Sequence, residues 1–117
     1  MFAVPMAGRS SGGMMNSIRE LEPGELKAML DRGEELVVLD VREHWEVEAA
    51  PFQGAVHIPM GELCSRLHEL DQERPTVVLC HRGWRSAQAA AYLAQAGFAQ
   101  VLNLCGGLEA WRLAPAA

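Results

Sequence analysis

Thr76-Val77-Val78-Leu79-Cys80-His81-Arg82-Gly83-Trp84-Arg85-Ser86, residues 76–86, passes from a short apolar run into a glycine-containing polar loop. The run Thr76-Val77-Val78-Leu79 is continuous and rich in β-branched residues, the pattern of a strand covered on both faces in a parallel sheet. Cys80 closes it. The tight loop containing Gly83 leads into a helix expected from about Arg85 to Gln95, with Gly97 just beyond its end. A strand, a short loop and a helix in that order form the crossover unit that joins parallel neighbours.

The same alternation extends in both directions. Upstream, Leu36-Val37-Val38-Leu39 follows Gly33 and ends at Asp40 as a second buried strand, and Ala55-Val56-His57-Ile58 is a shorter one stopped by Pro59. Downstream, Val101-Leu102-Asn103-Leu104 supplies the last strand, and Ile18-Arg19-Glu20-Leu21 begins the ordered chain as an extended segment. Helices are expected after Pro23 with a stripe of Leu26, Met29 and Leu30, over Glu43 to Ala49 before Pro51, and along Leu63, Leu67 and Leu70. A final helix, turned by Gly106-Gly107, carries Leu108, Trp111 and Leu113. Strands alternating with helices predict an α/β domain with a mainly parallel central sheet flanked by helices.

A chain of 117 residues suits one domain. It is placed at 17–117, after a Gly-, Ser- and Met-rich tail at 1–16 that is too poor in core-forming periodicity to offset its ordering entropy. Met14 or Met15 is an alternative natural start. The net charge is −5 and the ten lysines and arginines are scattered, which argues against a nucleic-acid partner. No apolar run approaches the ~20 residues of a membrane span. The apolar Met1 to Ala7 lacks a basic flank and gives way at once to Gly8, Arg9 and Ser10, so a signal peptide fits poorly and a cytoplasmic address is expected. Cys64, Cys80 and Cys105 are odd in number and have no C-x-x-C spacing. They read as reduced thiols rather than a disulfide framework or a zinc site.

Chemistry in an open α/β sheet gathers at the carboxyl ends of the strands, and Cys80 stands at such an end. Successive loop N–H groups and the start of the following helix can converge there, welcoming an anion and favouring Cys80 as its thiolate. Gly83 permits the turn and Arg85 can grip a charged substrate. The plainer alternative is a small buried hydrophobe that happens to follow a strand.

Three segments together resemble one family. Cys80-His81-Arg82-Gly83-Trp84-Arg85-Ser86 is similar to the rhodanese active-site pattern C-x-x-G-x-R-S, Asp40-Val41-Arg42-Glu43 to its D-V-R-E element, and Gly106-Gly107-Leu108-Glu109-Ala110-Trp111 to its G-G-x-x-A-W ending. Gly54-Ala55-Val56-His57-Ile58-Pro59 fits a fourth segment, and the resemblance spans residues 17–113. Ala50-Pro51-Phe52 departs from the Gly-His-Ile of many relatives, which touches local loop shape. The resemblance implies a rhodanese-like three-layer fold and a small sulfurtransferase. Cys80 would take sulfane sulfur from a donor such as thiosulfate, hold it as a persulfide, and pass it to cyanide, a thiol or a sulfur-carrier protein. It implies no metal or organic cofactor.

By the same resemblance His81, Arg82, Gly83, Trp84, Arg85 and Ser86 would bind substrate, while Asp40 and Arg42 would brace the sheet end, either as a structural ion pair or with Arg42 adding positive potential. Trp84 is expected at the pocket entrance or on the surface, and Trp45 and Trp111 in satellite clusters of the core. Cys64 is expected to pack, and Cys105 to be an inert thiol or a second persulfide carrier. Two rival classes remain. A cysteine phosphatase or arsenate reductase-like enzyme would also place Cys and Arg around an anion, but its pattern has five residues between them where Cys80 and Arg85 enclose four. A non-catalytic rhodanese-like binding module typically lacks the cysteine that is present here.

Overall fold

The computed structural model describes residues 18–115, so the tail expected at 1–16 lies outside the described residues. Five strands form a wholly parallel sheet: β1 (Arg19–Leu21), β2 (Val37–Asp40), β3 (Val56–His57), β4 (Thr76–Leu79) and β5 (Val101–Leu104), in the spatial order β1-β5-β4-β2-β3. Between them run α1 (Pro23–Asp31), α2 (His44–Ala49), α3 (Met60–Arg66) and α4 (Trp84–Gln95), and α5 (Gly107–Leu113) follows the last strand. Glu22 and Glu43 open α1 and α2 through reciprocal capping boxes with Glu25 and Glu46.

Side-chain alternation along the strands divides the core into two layers. Val78 and Cys80 face one side with Leu39, Val41, Ile58, Leu63, Ala89, Leu93 and Phe98, beneath α3 and α4. Val77, Leu79, Leu102 and Leu104 face the other, with Leu21, Leu26 and the half-buried Trp111 beneath α1 and α5. The domain therefore has helix, sheet and helix layers. Full burial of every residue of β4 and β5 explains their mostly apolar character, broken only by Thr76 and Asn103.

Some expectations are corrected. Leu63, Leu67 and Leu70 do not share one helix: α3 stops at Arg66, Leu67–Glu69 is a 3₁₀ turn, and Leu70 is extended yet buried. Leu30 and Leu113 leave their predicted apolar stripes for the surface. Trp45 is 70% exposed, because α2 is a six-residue helix without a buried residue. Trp111 does pack, its ring 4.9 Å from Phe52 and from the Lys27 ammonium. Cys64 is exposed rather than packed, and the Tyr92 hydroxyl reaches its sulfur at 3.2 Å. No helix among the described residues is long and apolar enough to cross a membrane.

Candidate active site

The parallel sheet carries Cys80 to its carboxyl edge at the end of β4, and two glycines let the loop close over the sulfur. Gly83 has φ +96°, and a Cβ there would stand 3.3 Å from the Gly106 nitrogen. Gly107 has φ +64°, and its Cβ would fall 2.5 Å from the Cys80 carbonyl oxygen and 2.6 Å from that of His81. Because Gly107 has no side chain, α5 abuts the loop. Its Leu108 N–H donates to the Cys80 carbonyl at 2.8 Å and its Glu109 N–H to the His81 carbonyl at 3.0 Å. Carbonyls are drawn towards α5, while the amides of Gly83 and Ser86 donate to Cys80 Sγ at 3.1 and 3.3 Å.

Cys80 is 1% exposed. Burial alone would push its thiol up, but the Ser86 hydroxyl together with the Ser86, Gly83 and Arg82 amides outweighs it and holds the thiol below its ordinary value. Above the sulfur opens a cavity of about 320 Å³ lined by Cys80, His81, Arg82, Trp84 and Arg85. Trp84 lines this cavity and is largely exposed. Gly83 and Ser86 are buried and meet the sulfur from within the fold.

Arg85 is already partnered. Its guanidinium makes a two-pronged ion pair with Glu46 of α2, at 2.7 and 2.8 Å. The Glu46 carboxyl is drawn down to about 2, chiefly by the hydrogen bond from Arg85, against an opposing contribution from burial and with help from the Glu43 backbone. Arg82 stands 3.7 Å from Glu109, both largely exposed. Asp40 and Arg42 are 1% and 2% exposed and form a buried ion pair at 2.7 Å. Arg42 also donates to the Ala50 carbonyl at 2.7 Å and the Glu46 carbonyl at 3.4 Å, so it anchors the end of α2. These two residues brace the site through α2 and do not line the cavity.

Cys105 lies just after β5, its N–H bonded to the Leu21 carbonyl at 2.9 Å. Burial, then the Glu22 carboxylate, raises its thiol, opposite to Cys80. No cluster of three or more His, Cys, Asp or Glu side chains among the described residues can hold a metal ion.

Sequence reading missed Glu46, Asn103 and the contact of Gly107 with the loop. Glu46 left no signal, because its partner Arg85 lies 39 residues away. Asn103 left a signal: it is a lone amide in a strand otherwise buried and apolar, where an unpaired polar group would be costly. The structure brings it to Ser86, whose hydroxyl donates to Asn103 Oδ1 at 2.6 Å.

Residues 22–114 match the family of the rhodanese-like domain. The chain belongs to this family. Among rhodanese-like relatives it is 34% identical to the thiosulfate sulfurtransferase GlpE of Pseudomonas syringae pv. syringae, over 84% of this chain and 91% of that protein. It is 38% identical to the putative sulfur carrier protein YrkF of Bacillus subtilis, over 89% of this chain but only 56% of YrkF, so it spans about half of that longer relative. The structure of a rhodanese-like domain protein from Staphylococcus aureus matches with a TM-score of 0.76 at 28% identity, over 80% of this chain and 91% of that one. The rhodanese-like fold and, at the level of the family, sulfur transfer follow.

Proposed function

We propose that this rhodanese-like protein is a sulfurtransferase that carries sulfur on Cys80. The observation that carries the reading is the Cys80 sulfur itself: held by the Gly83 and Ser86 amides, its thiol lowered, at the base of a cavity. With thiosulfate as donor, the Cys80 thiolate attacks the outer sulfur. The S–S bond of the donor breaks with its electron pair leaving on sulfite, and Cys80 retains a persulfide with a negative outer sulfur. Cyanide or an acceptor thiolate then attacks that outer sulfur, giving thiocyanate or an acceptor persulfide and returning the Cys80 thiolate. Amides of the loop stabilise the anionic sulfur.

His81, Arg82, Trp84 and Arg85 frame the space for donor and acceptor, whereas Gly83 and Ser86 act on the nucleophile. The name of YrkF makes a sulfur-carrier protein a reasonable acceptor to assay beside small thiols. Phosphate-ester hydrolysis is disfavoured because four residues separate Cys80 from Arg85 where that chemistry's pattern has five. The test is incubation with thiosulfate followed by intact-mass measurement and thiocyanate assay. Wild type should gain one sulfur atom and release thiocyanate on adding cyanide; Cys80→Ser should do neither while remaining folded. Undiminished thiocyanate formation by Cys80→Ser would overturn the reading.

A further inference from the structure

Behind Cys80, away from the cavity, lies a chain of polar groups that the sulfur-transfer steps leave unused. Ser86 and Asn103 are 0% and 3% exposed, and each has its partners fixed by what it can donate or accept. Asn103 Nδ2 faces acceptors only: the Glu20 carboxylate oxygens at 3.1 and 3.2 Å and the Gly83 carbonyl at 3.3 Å. The nitrogen of the amide must therefore point that way and its oxygen must point at Ser86. An amide oxygen only accepts, so the 2.6 Å contact takes the single proton of the Ser86 hydroxyl. What Ser86 then presents to Cys80 Sγ, 3.3 Å away, is a lone pair.

A lone pair suits some states of the sulfur and not others. The resting thiol donates its proton to it. In the persulfide, the negative charge sits on the outer sulfur, and the uncharged Sγ meets the lone pair without penalty. The bare thiolate draws on the hydroxyl only at a cost. To receive a hydrogen bond from Ser86, the thiolate must turn the hydroxyl away from Asn103, leaving a buried amide oxygen unpaired, which is costly.

We propose that Asn103, locked by Glu20 and Gly83, is a positioning residue that restrains the Ser86 hydroxyl from turning to Cys80 and so limits how far that hydroxyl favours the thiolate over thiol and persulfide. It rests on Cys80 being the sulfur carrier, and it makes the strength of the nucleophile a property of strand β5 as well as of the loop. The charged and titratable groups around Cys80 are Arg85 with its partner Glu46, Arg82 with Glu109, His81, the Asp40–Arg42 pair on the neighbouring strand end, and Glu20 beyond Asn103. Of these only Glu20 is bonded to Asn103, and it loses that donor in a variant there.

The experiment is the pH dependence of Cys80 alkylation by iodoacetamide, in protein with Cys64 and Cys105 replaced by Ser, with no sulfur donor present. Asn103→Ala frees the hydroxyl proton for the thiolate. The Cys80 titration should move to lower pH by about one unit, a roughly tenfold gain in thiolate at a pH below both midpoints. Glu20→Gln, at the exposed end of the chain of bonds, loosens the lock without touching the core and should shift the midpoint the same way by less, a shift that should vanish in the Ser86→Ala background, where the loss of the Glu20 charge alone would persist. In a Ser86→Ala background, Asn103→Ala should have no further effect, because the proton it controls is gone. An unchanged or raised midpoint in both Asn103→Ala and Glu20→Gln, or an Asn103→Ala shift that survives in the Ser86→Ala background, would overturn the proposal. Since alkylation needs no sulfur transfer, loss of this effect leaves the sulfurtransferase reading standing, and absence of thiocyanate formation leaves this effect standing.

Discussion

Replacing Asp40 by Asn removes the charge that compensates Arg42 in the interior while keeping nearly the same shape. Arg42 is 2% exposed, and three of its hydrogen bonds go to the Asp40 carboxylate, at 2.7, 2.9 and 3.1 Å. An arginine cannot shed its proton, so the variant buries an uncompensated charge, and breaking a buried pair in this way costs about 3–5 kcal/mol. At about 4 °C of melting temperature per kcal/mol for a domain of this size, the loss should be about 12–20 °C. Thermal unfolding followed by circular dichroism, with and without denaturant, measures it. Because Asp40 and Arg42 do not line the cavity, thiocyanate formation per folded molecule well below the transition should fall far less than stability does. A melting temperature lowered by less than about 4 °C would refute the bracing role, and an activity loss at full folding would place the pair in the reaction.

Gly107→Ala should both destabilise the domain and suppress sulfur transfer, since a Cβ 2.5 Å from the Cys80 carbonyl oxygen must push α5 off the loop. Strain at positive φ and two weakened hydrogen bonds suggest a loss of about 3 kcal/mol, read from urea unfolding, with thiocyanate formation reduced in the remaining folded protein. Glu46 has its carboxyl pKa depressed by folding, so its ion pair contributes stability that is fully present above the unfolded value and is lost as pH falls through about 2. The stability difference between wild type and Glu46→Gln should thus be constant near neutrality, on the order of 1–2 kcal/mol given the partly exposed Arg85, and shrink between about pH 5 and pH 2. A difference that grows on acidification would contradict the assignment.

Elements whose burial is uniform were legible in the sequence. Val101–Leu104 and Thr76–Leu79 occupy the expected positions because a strand covered on both faces must be mostly apolar, and Gly83 and Gly107 could be placed at turns because backbone conformation there demands glycine. Short elements misled. Leu63, Leu67 and Leu70 have helical spacing, but three apolar residues are too few to distinguish one helix from a helix, a 3₁₀ turn and an extended residue that bury the same face. Trp45 shows the same limit from the other side: its size argues for burial, yet a six-residue helix fastened by Arg42 and Glu46 has no core to offer it. Cys80 was legible as the nucleophile because its context is local in sequence. Glu46 and Asn103 were not, since their partners lie 39 and 17 residues away and only the parallel crossovers bring them together.

Those distant partners hold the loop from three directions. Gly107 lets α5 fix the carbonyls of Cys80 and His81; Glu46, on a helix anchored by the Asp40–Arg42 pair, fixes Arg85; and Asn103 fixes Ser86. Each clamp starts at the carboxyl end of a strand or just beyond it, where the parallel sheet delivers backbone and side chains to one edge. None of Gly107, Glu46 and Asn103 lines the cavity, yet each holds a group that touches or flanks the sulfur. The loop can therefore present different side chains at 81, 82 and 84 to different donors and acceptors while the amides around Cys80 stay where they are, and substrate preference can vary in this fold without disturbing the nucleophile.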